Sequence, residues 1–364
     1  MVTISLCMIV RNEEKSLHRC LSTITSLVDE IVIVDTGSTD KTKEIALSFG
    51  AVIYDFEWID NFSAARNFAF SKATQEYILW LDADDYIKEE DQILFKKLKE
   101  ILPGHIHSVN MQYNLAFDEA GNVTASLRRN RLVRRSCNFQ WIGPVHEYLE
   151  VSGPSFSSDV CITHEKDKEY TDRNLRIYQK RVAQGEVFSP RDQYYYANEL
   201  RDHAINEEAC KYYEIFLAGE QGWIEDNFQA CLKLAECRER LGDKEGAFEA
   251  LCKTLQYDKP RSEFCCRLGA LLLEKGQLHP AAYWYELAIQ LPRDNDSMGM
   301  KNGIFYTWLP HLQLALCYDR LGQHEKANHH NETALSFYPS HPSMLYNRTY
   351  FKNLLGDKYV ALQA

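Results

Sequence analysis

The sequence has no apolar run approaching the roughly 18 residues of a membrane span, so no transmembrane helix is expected. Its opening, MVTISLCMIVRNEE, has no basic segment ahead of the apolar run and turns charged at Arg11; no signal peptide is expected, and a cytoplasmic location follows. None of the 11 cysteines falls in a CxxC pair, which argues against a zinc site. Scattered as they are, with Cys265 and Cys266 adjacent, they fit small buried hydrophobes in a reducing compartment. No GxGxxG follows the first apolar run and no GxxxxGK(S/T) occurs, which excludes the dinucleotide fingerprint and the P-loop. Positive charge is in deficit, 41 basic against 52 acidic residues for a net of −11, which argues against sequence-independent nucleic-acid binding. Apolar material is plentiful: 45% hydrophobic and 12% aromatic over 364 residues gives two or three domains with real cores and excludes a disordered chain.

The first half alternates strands with helices of about ten residues, the pattern of a parallel sheet with right-handed crossovers. Ile4 to Val10 reads as a strand, followed by Arg11-Asn12-Glu13-Glu14 and a helical pattern through Leu17, Leu21, Ile24 and Leu27. Glu30 to Asp35 is a second strand ending on a carboxylate; after it Ser38 or Thr39 can cap a helix starting near Lys41. Ala51 to Tyr54 is a third strand, and Asp60-Asn61-Phe62-Ser63 opens a helix carrying Arg66 and Asn67. The fourth strand, Tyr77-Ile78-Leu79-Trp80-Leu81, runs into Asp82-Ala83-Asp84-Asp85. Ligands of an open α/β sheet gather beyond the carboxyl ends of its strands, which is where these acidic loops fall. Clustered carboxylates there suit a hard divalent cation; taken alone, they also suit a polar turn capping the next helix.

Four ordered segments carry a family likeness. Ser5 to Glu14, Ile33 to Asp40, Asp60 to Asn67 and Leu81 to Asp85 resemble family 2 glycosyltransferases of the GT-A fold, over roughly the first 170 residues. The resemblance implies an α/β, Rossmann-like, mostly parallel sheet domain, a UDP-sugar donor and Mn²⁺ or Mg²⁺. It places donor contacts at Val10, Arg11 and notably Glu13, at Asp35 on the uracil ring, at Asp60 and Arg66 in the same pocket, and at Asp82 and Ala83 beside the ribose or sugar. It places the metal on Asp84. Asp35 also has a plainer use as an Asx-turn or helix cap.

Residues 105–135 read as β-structure with a turn at Asp118 to Asn122. Arg128, Arg129, Arg131, Arg134 and Arg135 form a basic cluster whose plain reading is a solvated strand face; Arg131 is the one chosen to face a diphosphate. Trp141 to Leu149 holds a Gly143-Pro144 bend and then His146-Glu147. An inverting transfer needs a base to take the acceptor's proton. Glu147 is the first candidate and His146 the second; adjacent residues on an extended segment point opposite ways, so one of them faces the substrate. A buried His–Glu pair is the structural alternative. Val160 to His164 is a short strand, and the resemblance suggests His164 as a late metal ligand, a role weighed against a structural histidine. Glu165 to Arg176 reads as a charged helix leading out of the domain. The QxxRW motif of processive members is absent, which argues for transfer of a single sugar.

From about residue 190 the pattern is helical and repetitive. Leu241-Gly242-Asp243 to Ala247, Lys275-Gly276 to Ala281, Leu321-Gly322 to Ala327 and Leu355-Gly356 to Ala361 recur with a 34-residue spacing from Gly242 to Gly276 and from Gly322 to Gly356. The 46 residues between Gly276 and Gly322 fit one period plus an insertion of 12 around Pro292 to Gly303, and a degenerate unit surrounds His203 to Ala209. This period is the tetratricopeptide signature. Such arrays form an all-α solenoid that binds extended peptide or, alternatively, dimerises; its dense aromatics, from Tyr194 to Trp308, should be mostly repeat core.

The domains expected are 1–175, GT-A, and 176–364, tetratricopeptide. The combination resembles bacterial peptide glycosyltransferases of the glycocin type. It implies a metal-dependent inverting enzyme moving one sugar from UDP-glucose or UDP-N-acetylglucosamine to a Cys or Ser/Thr side chain of a peptide held by the repeats. The rivals are a glycan or lipid-linked acceptor, and a non-catalytic repeat scaffold with a retired transferase domain.

Overall fold

A computed structural model describes residues 1–119, 121–165, 171–292 and 298–361. The chain forms two compact units: residues 1–116 with 126–186, and residues 117–125 with 187–364.

The first unit is built on a mixed sheet. Its strands are β1 (Ile4–Val10), β2 (Glu30–Asp35), β3 (Val52–Asp55), β4 (Tyr77–Trp80), β5 (Asp85–Tyr86), β6 (Ser108–Phe117), β7 (Val123–Arg134), and β10 (Ser155–His164), while β8 (Gln140–Ile142) and β9 (Tyr148–Glu150) make a separate hairpin. The order is β3-β2-β1-β4-β7-β6-β10-β5. The β1–β2, β2–β3 and β1–β4 pairs are parallel, and β7 joins β4 antiparallel, Leu79 opposite Leu132. The sheet expected to be mostly parallel is therefore mixed, because β6 and β7 are joined by a tight turn, which only antiparallel strands accept.

Alternation along the strands divides the core. Leu6, Met8, Tyr77 and Leu79 pack on one face with α1 (Leu17–Ile24), α2 (Thr42–Ser48) and α4 (Glu89–Ile101). Cys7, Ile78 and Trp80 pack on the other with α3 (Phe62–Lys72), Trp141 and Leu149. With both faces covered, β4 is buried along its whole length. Asn61 caps α3 by accepting from the Ala64 N–H at 3.0 Å. At α2 the expected caps are displaced: Asp40 accepts from the Thr42 N–H at 3.0 Å. Ser38 and Thr39 instead tie to Asn12, knitting the loops after β1 and β2 together. The helix expected over 165–176 is α5 (Arg173–Ala183); residues 166–170 lie outside the described part.

The second unit is a row of helical hairpins: α6 (Pro190–Asp202) with α7 (Asn206–Ala218), α8 (Ile224–Arg240) with α9 (Lys244–Lys253), α10 (Ser262–Glu274) with α11 (Leu278–Gln290), and α12 (Trp308–Arg320) with α13 (His324–Phe337), followed by α14 (Pro342–Leu355). Gly242, Gly276 and Gly322 take φ of +81°, +73° and +74° in the turns, the left-handed conformation that ends a helix cheaply only with glycine. The degenerate first hairpin makes the same turn with Ala204 at φ +59°. Ala247, Ala281 and Ala327, early in the second helices, are fully buried where the helix pairs meet. The unit that opens at Gly356 shows a single 3₁₀ turn over Gly356–Lys358 in the described residues. Of the insertion, residues 293–297 lie outside them. Tyr194, Tyr196, Tyr213 and Tyr285 are core, whereas Trp223 and Tyr283 are exposed. Residues 117–119 and 121–125 pack within this unit: Asn122 Nδ2 donates to the Phe337 carbonyl at 3.0 Å, and a side chain on Gly303 would strike the Val123 carbonyl.

Between α12 and α13, His311 and His330 face each other with Nδ1 atoms 3.0 Å apart. Burial pushes both imidazoles down to about 4; for His311 the charge of His329 adds to this, and for His330 the charges of His311, His329 and Lys326 outweigh Glu286. The folded pKa of each base is thus depressed below its unfolded value of 6.5. The unfolded chain binds the extra protons, so stability is complete above about pH 6.5 and falls as pH drops toward 4. The expected loss between pH 7 and pH 5 is on the order of 2 kcal/mol for each imidazole. Thermal midpoints followed by helical circular dichroism should fall over that window and flatten in the double variant His311→Phe/His330→Phe; a native midpoint level from pH 7 to 5 contradicts this.

Candidate active site

The loop leaving β4 is organised by Asp85, which is fully buried. Its Oδ2 accepts from the Asp82 N–H at 3.0 Å and lies 3.1 Å from Arg131 Nη1. Its Oδ1 accepts from the Tyr113 hydroxyl at 2.8 Å. Arg131 is itself fully buried, its guanidinium stacked 3.9 Å from the Trp80 ring and 4.2 Å from the Tyr113 ring. The antiparallel pairing of β10 with β5 brings His164 opposite Asp85. His164 Nδ1 stands 3.5 Å from Asp84 Oδ1 and 3.4 Å from Asp85 Oδ1. Asp84, Asp85 and His164 thereby form a group with ligand atoms all within 4.8 Å of one another. Burial opposes charge on His164, but its hydrogen bonds to Asp84 and Asp85 push the imidazole up to about 10. Two carboxylates and an imidazole fit a divalent cation of the Mn²⁺ type.

Beside this group, Arg66 on α3 bridges two acids. Its Nη2 donates to Asp82 Oδ1 at 2.8 Å and its Nε to Glu147 Oε1 at 2.6 Å. The guanidinium lies 5.1 Å from the Trp80 ring and 4.8 Å from the Trp141 ring. Burial works against the Asp82 carboxylate, but Arg66 and then Arg131 hold its pKa below the usual carboxylate range. Glu147 reaches Arg66 because α3 also holds the β8–β9 hairpin: Asn67 Oδ1 accepts from the Trp141 N–H at 2.8 Å, Asn67 Nδ2 donates to the Trp141 carbonyl at 3.0 Å, and the Phe62 N–H donates to the Pro144 carbonyl at 2.8 Å.

Residues 5–148 match the sequence family described as Glycosyl transferase family 2. The first unit carries a family 2 glycosyltransferase domain. The chain is 29% identical across 330 residues to a TPR repeat-containing protein of Synechococcus elongatus, covering 89% of this chain and 75% of that one. It is 27% identical across 224 residues to the SPbeta prophage-derived glycosyltransferase SunS of Bacillus subtilis, covering 58% of this chain and 52% of SunS, so the matched part spans about half of that relative. A shorter match, 33% identical, links 25% of the chain to 31% of an uncharacterized glycosyltransferase of Rickettsia typhi. The first of these relatives bears out the tetratricopeptide reading of the second unit.

The glycosyltransferase domain brings Arg66, Asp82, Asp84, Glu147 and His164 into two adjoining groups. Asp35 lies at the end of β2, buried. Its Oδ1 accepts from the Gly37 and Ser38 N–H groups at 3.0 and 2.9 Å, the Asx-turn use, while its Oδ2 is buried with no hydrogen-bond partner. Val10 is buried, its carbonyl accepting from the Thr36 N–H at 2.9 Å, and Arg11 is exposed. Glu13 Oε2 accepts from the Ser16 hydroxyl at 2.8 Å. Ala83 is buried in the loop. Asp60, at φ +56°, pairs with Lys180 at 2.8 Å, which lowers its pKa, and with Trp58 Nε1. Arg131, chosen to face a diphosphate, instead sits wholly buried behind Asp85, its guanidinium between the Trp80 and Tyr113 rings.

His146 and Glu147 part company, though not through strand alternation. They lie in the turn between β8 and β9; His146 has φ +49° and its ring stacks on Tyr178 with centroids 6.4 Å apart. The sequence assigned no site role to Asn67, which closes the Asp60 to Asn67 segment, to Tyr113, or to the indoles of Trp80 and Trp141.

Proposed function

We propose that this chain is a metal-dependent inverting glycosyltransferase that moves one sugar from UDP-glucose or UDP-N-acetylglucosamine to a Cys or Ser/Thr side chain of a peptide held by the repeats. The observation that carries it is the adjacency of the Asp84–Asp85–His164 group to the Asp82–Arg66–Glu147 bridge. Asp84 and His164 would hold Mn²⁺ or Mg²⁺, which when bound supplies charge stabilisation to the departing diphosphate. The remaining roles belong to the chain. The unpartnered Oδ2 of Asp35 suits a ring N–H of uracil, since a buried acceptor gains most from a donor it lacks. Asp82, fixed by Arg66 and by its own N–H on Asp85, orients the ribose or sugar. Glu147, held at Oε1 by Arg66, takes the acceptor's proton through its other oxygen. The family match, the SunS likeness and the tetratricopeptide-named relative support a transferase joined to a repeat unit.

The metal reading is tested by thermal shift. UDP with Mn²⁺ should raise the midpoint of the native protein, and Asp84→Ala should remove most of the Mn²⁺-dependent part while keeping any shift from UDP alone. A native protein indifferent to UDP and Mn²⁺ favours the scaffold alternative. The acceptor is tested by incubation with UDP-glucose and Cys- or Ser-containing peptides, reading a hexose adduct by mass; UDP-sugar hydrolysis with no peptide adduct counts against a peptide acceptor.

A further inference from the structure

Three acidic side chains leave β4 within four residues, yet their surroundings are unequal. Asp85 has both oxygens engaged, by Tyr113, the Asp82 N–H and Arg131. Asp84 is partly exposed, and the contact described for its side chain is the one to His164 at 3.5 Å. Tyr113 on β6 decides this difference. Parallel pairing sets Tyr113 beside Ile162 on β10, two residues before His164. Its ring meets the imidazole edge-on at 5.8 Å, and Arg131 stacks on it at 4.2 Å. Its hydroxyl donates to Asp85 Oδ1 at 2.8 Å and lies 3.1 Å from His164 Nδ1. One hydroxyl therefore ties the buried carboxylate to the imidazole.

We propose that Tyr113 is a positioning residue of the cation site: it occupies Asp85 and orients His164, so that Asp84 and His164 are the side chains presented to a divalent cation. The inference rests on the metal reading of the site given above. It follows the general behaviour of metal centres, in which groups hydrogen-bonded to the ligands fix their orientation and their removal costs about 10–100-fold in affinity. Arg131 makes the arrangement affordable. A fully buried Asp85 carboxylate needs a counter-charge, and the guanidinium supplies it from behind, sandwiched between Trp80 and Tyr113 with its Nε and Nη2 unpartnered.

The test is Tyr113→Phe in the full chain, which keeps the ring and its stacking and deletes the hydroxyl. Mn²⁺ alone is the probe, its free concentration read by electron paramagnetic resonance, with UDP affinity in chelator measured in parallel. The expected result is Mn²⁺ binding weakened by about 10–100-fold with metal-free UDP affinity within about twofold of native. Native-like Mn²⁺ affinity in Tyr113→Phe, where native protein binds Mn²⁺ and Asp84→Ala does not, overturns the role of Tyr113 and leaves the metal reading standing. Equal weakening of Mn²⁺ and metal-free UDP binding marks a general structural defect and overturns it as well. A native protein that binds no Mn²⁺, with or without UDP, overturns the metal reading and this inference together. Arg131→Lys is the companion variant: it keeps the charge on Asp85, loses the stacked plane, and should weaken Mn²⁺ less than Tyr113→Phe does.

Discussion

Glu147→Gln is expected to lower turnover by about 10²–10⁴-fold, the contribution of a positioned base, with the KM for the donor changed by less than about threefold, since ground-state binding is left in place. The expectation follows from the geometry around one carboxylate. Glu147 is 11% exposed in its side chain and anchored at Oε1 by Arg66. The anchor fixes where the other oxygen points, and an amide in the same place can still accept from Arg66 but cannot take a proton. His146→Gln serves as the control: that ring stacks on Tyr178, and its loss should leave the rate within about tenfold of native, well short of the loss of a base. UDP release from the UDP-sugar, followed at saturating donor, separates the two. A Glu147→Gln enzyme within threefold of native removes Glu147 from the mechanism, and a His146→Gln enzyme slower than Glu147→Gln transfers the role to the histidine.

Arg66→Met is expected to destabilise the glycosyltransferase domain strongly. It leaves Asp82 and Glu147 facing each other without the charge that joins them, against the faces of Trp80 and Trp141. Breaking a buried ion pair by deleting one partner costs about 3–5 kcal/mol; the lower end applies here because the Asp82 side chain is 33% exposed and water screens part of the repulsion. That corresponds to a fall in thermal midpoint of roughly 6–12 °C for a unit of this size. Turnover should fall with it, because Glu147 loses its anchor. Arg66→Lys should recover part of the stability and little of the rate: an ammonium keeps the charge but cannot span two carboxylates while stacking on two indoles. Calorimetry on the three proteins decides it, and an Arg66→Met midpoint within about 1 °C of native would falsify the bridge as a structural element.

The parts legible in the sequence were those whose signal is local. Strand-end acids and the helix opened by Asn61 are written within a few positions, and the turn glycines recur at a 34-residue period broken by one insertion. The pairing that makes the site is not. Arg66 and Glu147 stand 81 residues apart, and nothing in either segment names the other. Arg131 could not be told from its four neighbouring arginines because alternation sets Arg129 and Arg131 on the same side of the strand; its burial depends on Asp85, Trp80 and Tyr113, all distant in sequence. Asp85, whose plain use is hydrogen-bonding support for its neighbours, hides only its distant partners. Next to Asp84 in sequence, it is turned inward by β5 pairing with β10, a contact across 79 residues. The sheet's mixed character was likewise hidden, since the apolar content of a buried strand is the same whichever way its neighbour runs.

The short segment 117–125 has a bearing on how this protein can be taken apart. It is the tip of a β-ribbon whose two legs lie in the sheet unit, yet it packs with the helices through Asn122 and beneath Gly303. A single cut near residue 187 divides the polypeptide without dividing the fold: the piece from 187 onward would lack a patch of its own surface lining, and the piece before it would carry that patch bare. Exchange of repeat arrays between transferases, in the laboratory or by recombination, would therefore succeed only when the ribbon tip travels with the array it fits.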